Sequence, residues 1–481
     1  MPVKAFCIHG HFYQPPREDP LTGVIPIETG AAPYSNWNER IHAECYVPNA
    51  ELGNFARISY NVGPTLMNWM AGKDPVTYAR IIAQDRENYD RHGVGNAMAQ
   101  SYNHTILPLA NRLGKITQIR WGIADFQFRF GHRPHGMWLP ETAIDTETLT
   151  ILVDEGIEYT VLAPWQAVEY HGDSSLPCWV DLPGKRRIVV FFYNQDLSTR
   201  VSFDPGATSN ADKFLTDTLV PRYKSKSEVD GPQLYLLASD GELYGHHQKF
   251  RDKFLDYLLD GAVNSYGIEL TYPGLWLKEH PPTQTVKICE NTSWSCHHGV
   301  TRWMGDCDCT PGSKWKAPLR KGLSQLAGLL DNIYFNAMSS FVCDPWDLRH
   351  QYIHVILGQI SVADFVQTAV GRSLAEADLE QISLLLAAQY ERQRMFTSCG
   401  WFFDEFDRIE PRNNVAYAAQ AVWLTFKATG IDLTGQAQEF LKNVKSSRTG
   451  LKGDVVFSQK YLKAKEANSQ GADYFRASRR L

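Results

Sequence analysis

Short apolar runs that end in polar clusters, each followed by a stretch of helical period, fill roughly the first 300 residues of the chain. Residues 3–8 read as a buried strand. It gives way to His9-Gly10-His11-Phe12-Tyr13-Gln14-Pro15-Pro16, where the two prolines stop regular structure. Residues 57–62 repeat the pattern and end at Gly63-Pro64, and Ser101-Tyr102-Asn103-His104 precedes Leu107-Pro108 in the same way. A long helical period covers about 110–130. The next strand end, His135-Gly136-Met137-Trp138, runs into Leu139-Pro140-Glu141. Residues 157–162, 188–193 and 233–238 are further strands. The second is a continuous apolar run, as expected of a strand covered on both faces. Residues 268–272 and 285–289 are weaker strand candidates. Helical periods recur at 319–338, 344–370, 375–395 and 415–425, and the residues after Ser446 are polar and rich in Lys and Ser.

The β-then-α alternation argues for a parallel sheet, and its recurrence favours a closed α/β barrel. In such a barrel the working groups gather at the C-terminal strand ends, where the polar clusters of this chain fall. The expected organisation is a barrel over 1–313, a helical domain over 314–445 and a loosely held polar tail over 446–481.

Composition narrows the function. Of 481 residues, 43% are hydrophobic and 21% charged, the balance of a soluble globular protein. A net charge of −5 without a basic patch argues against a nucleic-acid partner. No apolar run is long enough to span a bilayer, so no membrane is expected. Nine cysteines in no disulfide-framework spacing, and a start without a signal-peptide layout, point to reduced thiols and a cytoplasmic setting. Thirteen tryptophans, many near loop signals, would suit a carbohydrate, although large aromatic cores are the commoner reason for them.

Two carboxylates stand at strand ends. Glu141 follows a stiff Leu-Pro and the apolar surface of Trp138, a platform suited to a pyranose face. Asp240 directly follows the 233–238 strand and precedes Gly241-Glu242. Glycoside hydrolysis needs such a pair, one group to attack or to activate water and one to protonate the leaving oxygen. Burial and a negative Glu141 should raise the pKa of Asp240. His9 and His11, two apart on a strand end, point to one side. They suit sugar hydroxyls or half of a metal site, and the sugar reading carries more weight because no convincing further ligand set accompanies them. Gln14, His104, Arg200 and His246 join them as candidate substrate contacts. Trp401 either packs the two domains or reaches the substrate. Cys296, His298, Cys307 and Cys309 have zinc-ligand side chains but the spacing of no common zinc module, so buried free thiols are the expectation there.

These motifs resemble glycoside hydrolase family 57, the family of α-amylases, 4-α-glucanotransferases and branching enzymes. His9–Pro15 is similar to its first motif, with Phe12-Tyr13 intervening where the family is often tighter. His104 with Leu107-Pro108 is similar to its second, Trp138–Glu141 to its third and Asp240–His246 to its fourth, while Cys399–Phe403 sits where the family has an aromatic segment. The resemblance implies a distorted (β/α)7 barrel followed by a helical bundle. It also implies retaining chemistry on α-glucans without metal or other cofactor, with Glu141 as nucleophile and Asp240 as general acid/base. The 293–309 segment and the run around Trp401 are most similar to a bacterial branch of the family. The rival readings are a metal-dependent barrel hydrolase, either an amidohydrolase or a carbohydrate deacetylase, using His9, His11 and Asp240, and a non-catalytic glycan-binding barrel.

Overall fold

The computed structural model describes residues 3–170, 175–225, 227–228 and 231–469. The chain divides into two compact units. The first comprises 1–14, 27–100 and 126–294, and the second 15–26, 101–125 and 295–481.

In the first unit, seven parallel strands close on themselves among the described residues: β1 Lys4–Phe12, β2 Ser59–Val62, β3 Ala99–Gln100, β4 Met137–Trp138, β5 Tyr159–Leu162, β6 Arg186–Phe192 and β7 Gln233–Asp240. β1 pairs with β2 on one side and with β7 on the other. β2 reaches β3 through a Tyr60–Ala97 bridge, β3 pairs with β4, β4 meets β5 at Gly136–Tyr159, and β5 pairs with β6. Between β6 and β7 there is no ladder. The ring is completed there by Asn194 N–H to the Leu236 carbonyl (2.7 Å) and by Ser175, which donates its N–H to the Leu234 carbonyl (2.8 Å). This is the expected distorted (β/α)7 barrel. The weaker strand candidates also form, outside the ring: Glu269–Leu270 adds to β1, and Gln284–Ile288 pairs with Cys178–Leu182 and Ala167–Val168.

Period-two alternation fills the interior. Ala5 and Cys7, Tyr159 and Val161, Val189 and Phe191, and Leu234, Leu236 and Ala238 form one buried cluster with Met98 and Trp138. Continuing the same alternation upward places His9 and His11 of β1 and Asp240 of β7 on the inward face at the C-terminal end. The register matches, with His11 opposite Asp240.

The second unit is helical: α1 Lys316–Met338, α2 Glu376–Arg394, α3 Ile409–Thr429, α4 Thr434–Leu441 and α5 Gly453–Ser469. α1 buries Leu319, Leu323, Leu326, Leu330 and Tyr334, the stripe of an amphipathic helix. α3 is buried all round from Asn413 to Thr425, as befits a helix packed on both α2 and α5. Two sequence expectations change here. The boundary at 313/314 does not hold, because 15–26, 101–125 and 295–313 group with the helices. Residues 446–469 are not a loose tail either: Ser446 is buried, and α5 buries Val456, Phe457 and Ala464. The remainder of the expected tail lies outside the described residues. Among the described residues, no helix is long and apolar enough to cross a membrane.

Candidate active site

Glu141 sits in a single helical turn, Pro140–Thr142, directly after β4. Its backbone is left-handed, with φ +58°, and Thr142 follows at φ +48°. Side chains with a Cβ resist this region, at a cost of about 1–3 kcal/mol for each residue, so the surroundings must impose it. Gln166, fully buried, is the clamp. Its amide donates to the Thr142 carbonyl (2.8 Å) and the Thr292 carbonyl (3.2 Å), and its oxygen accepts from the Thr142 hydroxyl (2.7 Å) and the Ala163 N–H (2.9 Å). Trp294 holds the nucleophile candidate twice, N–H to the Glu141 carbonyl (3.0 Å) and indole Nε1–H to Oε2 (3.0 Å). The sequence reading singled out neither Gln166 nor Trp294.

Gln166→Leu, nearly isosteric, leaves the buried Thr142 hydroxyl and carbonyl without these partners. The expected result is a loss of roughly 2–4 kcal/mol in urea unfolding together with a fall in kcat of more than about tenfold. An unchanged unfolding midpoint with unchanged kcat would refute the clamp.

Asp240 ends β7. The following Gly241 is required by close approach, since a Cβ there would lie 2.3 Å from the Phe12 ring. Asp240 is exposed to solvent, so a substrate oxygen can reach it, yet protein surrounds the strand end densely enough to strip much of its hydration. That desolvation, and then the negative charge of Glu141, push its pKa up to about 7. The two carboxylates therefore sense each other.

Glu242 turns the other way and is buried. One oxygen accepts from the Tyr46 hydroxyl (2.6 Å) and the Tyr13 N–H (3.0 Å), with the Gln14 amide at 3.5 Å. Burial raises its pKa to about 8 against the lowering effect of Tyr46, and the charge of Asp240 adds to the rise. The folded pKa lies above the unfolded one. This group's contribution to stability is therefore complete below about pH 4.5 and is lost as pH rises through about 8. Glu242→Gln keeps an acceptor for Tyr46 and cannot ionise. Its stability should exceed that of the wild type by an amount that grows between pH 5 and 8, approaching about 1.4 kcal/mol per pH unit. Parallel pH–stability curves for the two proteins would contradict this.

The histidines form a wall. His9 stacks on Trp138 with centroids 4.5 Å apart, and His11 stacks on it at 5.3 Å. His9 Nδ1 lies 2.9 Å from the Ser59 hydroxyl, and its Nε2 lies 3.2 Å from Asn61 Oδ1. Desolvation lowers its pKa to about 3 and that of His11 to about 4, so both rings are neutral. Asn61 donates to the Gln100 oxygen (2.7 Å), and both its amide nitrogen (3.0 Å) and its amide oxygen (3.2 Å) lie against His11 Nδ1.

Several sequence expectations are corrected by these contacts. Trp138 is fully buried and covered by both imidazoles, so it is a support and not an open sugar platform. His9 has both ring nitrogens engaged inside the wall and is fully buried, which removes it as a sugar contact and as a metal ligand. Gln14 binds Tyr46 and Glu242. Arg200, exposed on the helix Gln195–Phe203, pairs with Asp196 one turn away. His246 donates to Glu44 (2.5 Å). His104 and Trp401 belong to the second unit. His104 Nδ1 meets the Ser398 hydroxyl at 2.5 Å. Trp401 is fully buried, stacked parallel to Phe396 with the Arg320 guanidinium 3.8 Å from its ring centre, so it is a core residue of the helical unit.

The arrangement pairs an anchored carboxylate with a reachable carboxyl whose pKa is raised to about 7, both at the C-terminal end of a parallel barrel. Residues 80–289, which contain both groups, match the model of glycosyl hydrolase family 57. Residues 312–474, most of the helical unit, match a domain of unknown function, DUF3536. Among curated proteins none matches the sequence. Among solved structures, the chain is similar to an exo-type maltose-forming amylase from Pyrococcus sp. ST04, with 14% identity over 95% of this chain and 88% of that one and a TM-score of 0.74. It is also similar to a GH57-type branching enzyme from Pyrococcus horikoshii (15% identity, 96% of each chain, TM-score 0.61). A third likeness is to a 4-α-glucanotransferase from Thermococcus litoralis (16% identity, 88% of this chain and 60% of that one, TM-score 0.57). At these identities the likeness is one of fold.

Proposed function

We propose that the barrel cleaves α-glucosidic bonds of an α-glucan with retention, passing the glycosyl group to water or to a second sugar. The observation that carries this reading is the placement of two carboxylates at C-terminal strand ends, Glu141 held by Trp294 and Asp240 with its pKa raised beside the charge of Glu141. It gives one group able to donate a proton and one able to attack.

In the proposed sequence Glu141 attacks the anomeric carbon as the bond to the leaving oxygen breaks, and that oxygen takes the proton of Asp240. Ester formation removes the charge of Glu141, so the pKa of Asp240 falls. Its carboxylate then takes a proton from the incoming hydroxyl, which displaces Glu141. His11, neutral, is the candidate among the wall residues for a sugar hydroxyl. The engagement of His9 with Ser59 and Asn61 weighs against the metal-hydrolase alternative. α-Glucans enter as substrates because the amylase, branching enzyme and glucanotransferase share this fold.

The test is incubation with maltoheptaose and with amylose, following chain lengths by chromatography and the first-formed anomer by NMR. The α-anomer, or longer and branched products, is the expected outcome. A β-anomer, or no change in either glucan, would overturn the proposal.

A further inference from the structure

Outside the barrel, the stretch between Ser295 and Trp315 has almost no regular structure, only the short turn Thr301–Trp303. It nevertheless has a fixed core. A tight turn shapes each of its two ends (Gly299 N–H to the Cys296 carbonyl, 3.1 Å, and Thr310 N–H to the Cys307 carbonyl, 2.7 Å). The side chains of Cys296, His298, Cys307 and Cys309 meet there, with their ligand atoms all within 4.8 Å of one another. The three cysteines are free thiols, as expected, with Cys296 and Cys307 buried and Cys309 half-buried.

The spacing of these atoms is informative. Sulfur-to-sulfur distances are 3.6 Å for Cys296–Cys307 and 3.9 Å for Cys296–Cys309. A disulfide needs about 2.05 Å, so none of these pairs is bonded. His298 Nδ1 lies 3.2 Å from the Cys307 sulfur and 3.7 Å from that of Cys309. A tetrahedral zinc, with Zn–S near 2.3 Å and Zn–N near 2.0–2.1 Å, sets its ligand sulfurs about 3.8 Å apart and sulfur from nitrogen about 3.6 Å. The observed edges scatter around these values.

Charge agrees with this. Three thiolates and a neutral imidazole around a divalent ion leave a net negative centre. Arg302 donates to the Cys309 carbonyl (3.4 Å), and buried Lys316 donates to the Thr310 hydroxyl (2.8 Å), next to the ligand loop.

We infer that Cys296, His298, Cys307 and Cys309 form a closed tetrahedral zinc site that staples the 295–315 segment ahead of α1. With four protein ligands and no open position, it is structural and takes no part in the chemistry at Glu141 and Asp240. Cys-x-His and Cys-x-Cys supply two ligands each from the two ends of the loop, an arrangement that a search for paired CxxC modules does not find.

The test uses the full chain, expressed with zinc in the medium and purified without chelator. Elemental analysis should give about one zinc per chain. Exchange with cobalt should produce thiolate-to-cobalt charge transfer and the intense visible bands of tetrahedral coordination. Cys309→Ser and His298→Ala should weaken zinc binding by more than about tenfold, and His298→Cys, which restores a fourth ligand, should recover it. Cys343→Ser, at an exposed thiol away from the cluster, should leave both signals intact. A strong chelator should lower the melting temperature of the wild type and leave that of Cys309→Ser unmoved. The His298→Cys arm separates loss of a ligand from loss of fold. Folded wild type that takes up neither zinc nor cobalt, metal content equal in wild type, Cys309→Ser and His298→Ala, or a Cys307–Cys309 disulfide isolated in place of metal would each overturn the inference.

Discussion

Glu141→Gln is expected to lose ~10³-fold or more in kcat on maltodextrins while its thermal midpoint hardly moves. The amide oxygen still accepts from Trp294 Nε1, and Gln166 still imposes the left-handed turn, so position survives and nucleophilicity does not. A stronger form of the test removes the side chain. Glu141→Ala opens space for a small anion, and azide should restore turnover by attacking the anomeric carbon from the vacated side. The product would be a glycosyl azide inverted relative to the substrate. Retained activity in Glu141→Gln would sink the nucleophile assignment. Rescue giving an azide of retained configuration would sink the geometry.

Asp240→Asn should cost ~10²–10⁴-fold with a glucan, whose leaving hydroxyl needs a proton, and far less in the first step with an activated aryl glycoside. The pH profile carries the second half of this prediction. Asp240 must start protonated, and its pKa stands near 7, so kcat/KM should fall on the alkaline side of about pH 7. That limb should vanish in Asp240→Asn. The free-enzyme pKa of Asp240, followed by NMR, should drop in Glu141→Gln, because one of its two causes is then gone and only desolvation remains. Equal damage on both leaving groups, or an alkaline limb that persists in Asp240→Asn, would assign the acid elsewhere.

The strand ends were legible because alternation and the proline and glycine stops are local signals. The same alternation that buries Ala5 and Cys7 carries His9 and His11 inward, and Leu236 and Ala238 do this for Asp240. Trp138 shows where local signals stop. An indole before a carboxylate reads as well as a platform as it does as a wall, and the choice is made by two imidazoles from a strand more than a hundred residues earlier. Gln166 and Trp294 carried no signal at all. Each matters only because the fold returns it to the Glu141 turn from a different loop. The 446–469 segment was misread for another reason. α5 buries Val456, Phe457 and Ala464 but leaves Val455 and Leu462 exposed and intersperses Lys460, Lys463, Lys465 and Glu466, so its apolar stripe is weak in sequence while packing makes a helix. The thiol cluster defeated spacing rules because its two halves are joined by turns rather than by a known module.

The threading of the second unit bears on how the chain is made. Glu18, which pairs with Arg394 (3.1 Å), and Trp121, whose indole donates to the His350 carbonyl (2.9 Å), leave the ribosome hundreds of residues before their partners. Segments 15–26 and 101–125 must therefore wait, unsatisfied, until the C-terminal helices arrive. Vectorial synthesis cannot complete this unit piece by piece, and a cut at any one point cannot release it whole. Expression of residues 1–313 alone should yield a barrel carrying three orphaned segments, 15–26, 101–125 and 295–313, with exposed apolar surface, prone to aggregate and to recruit chaperones.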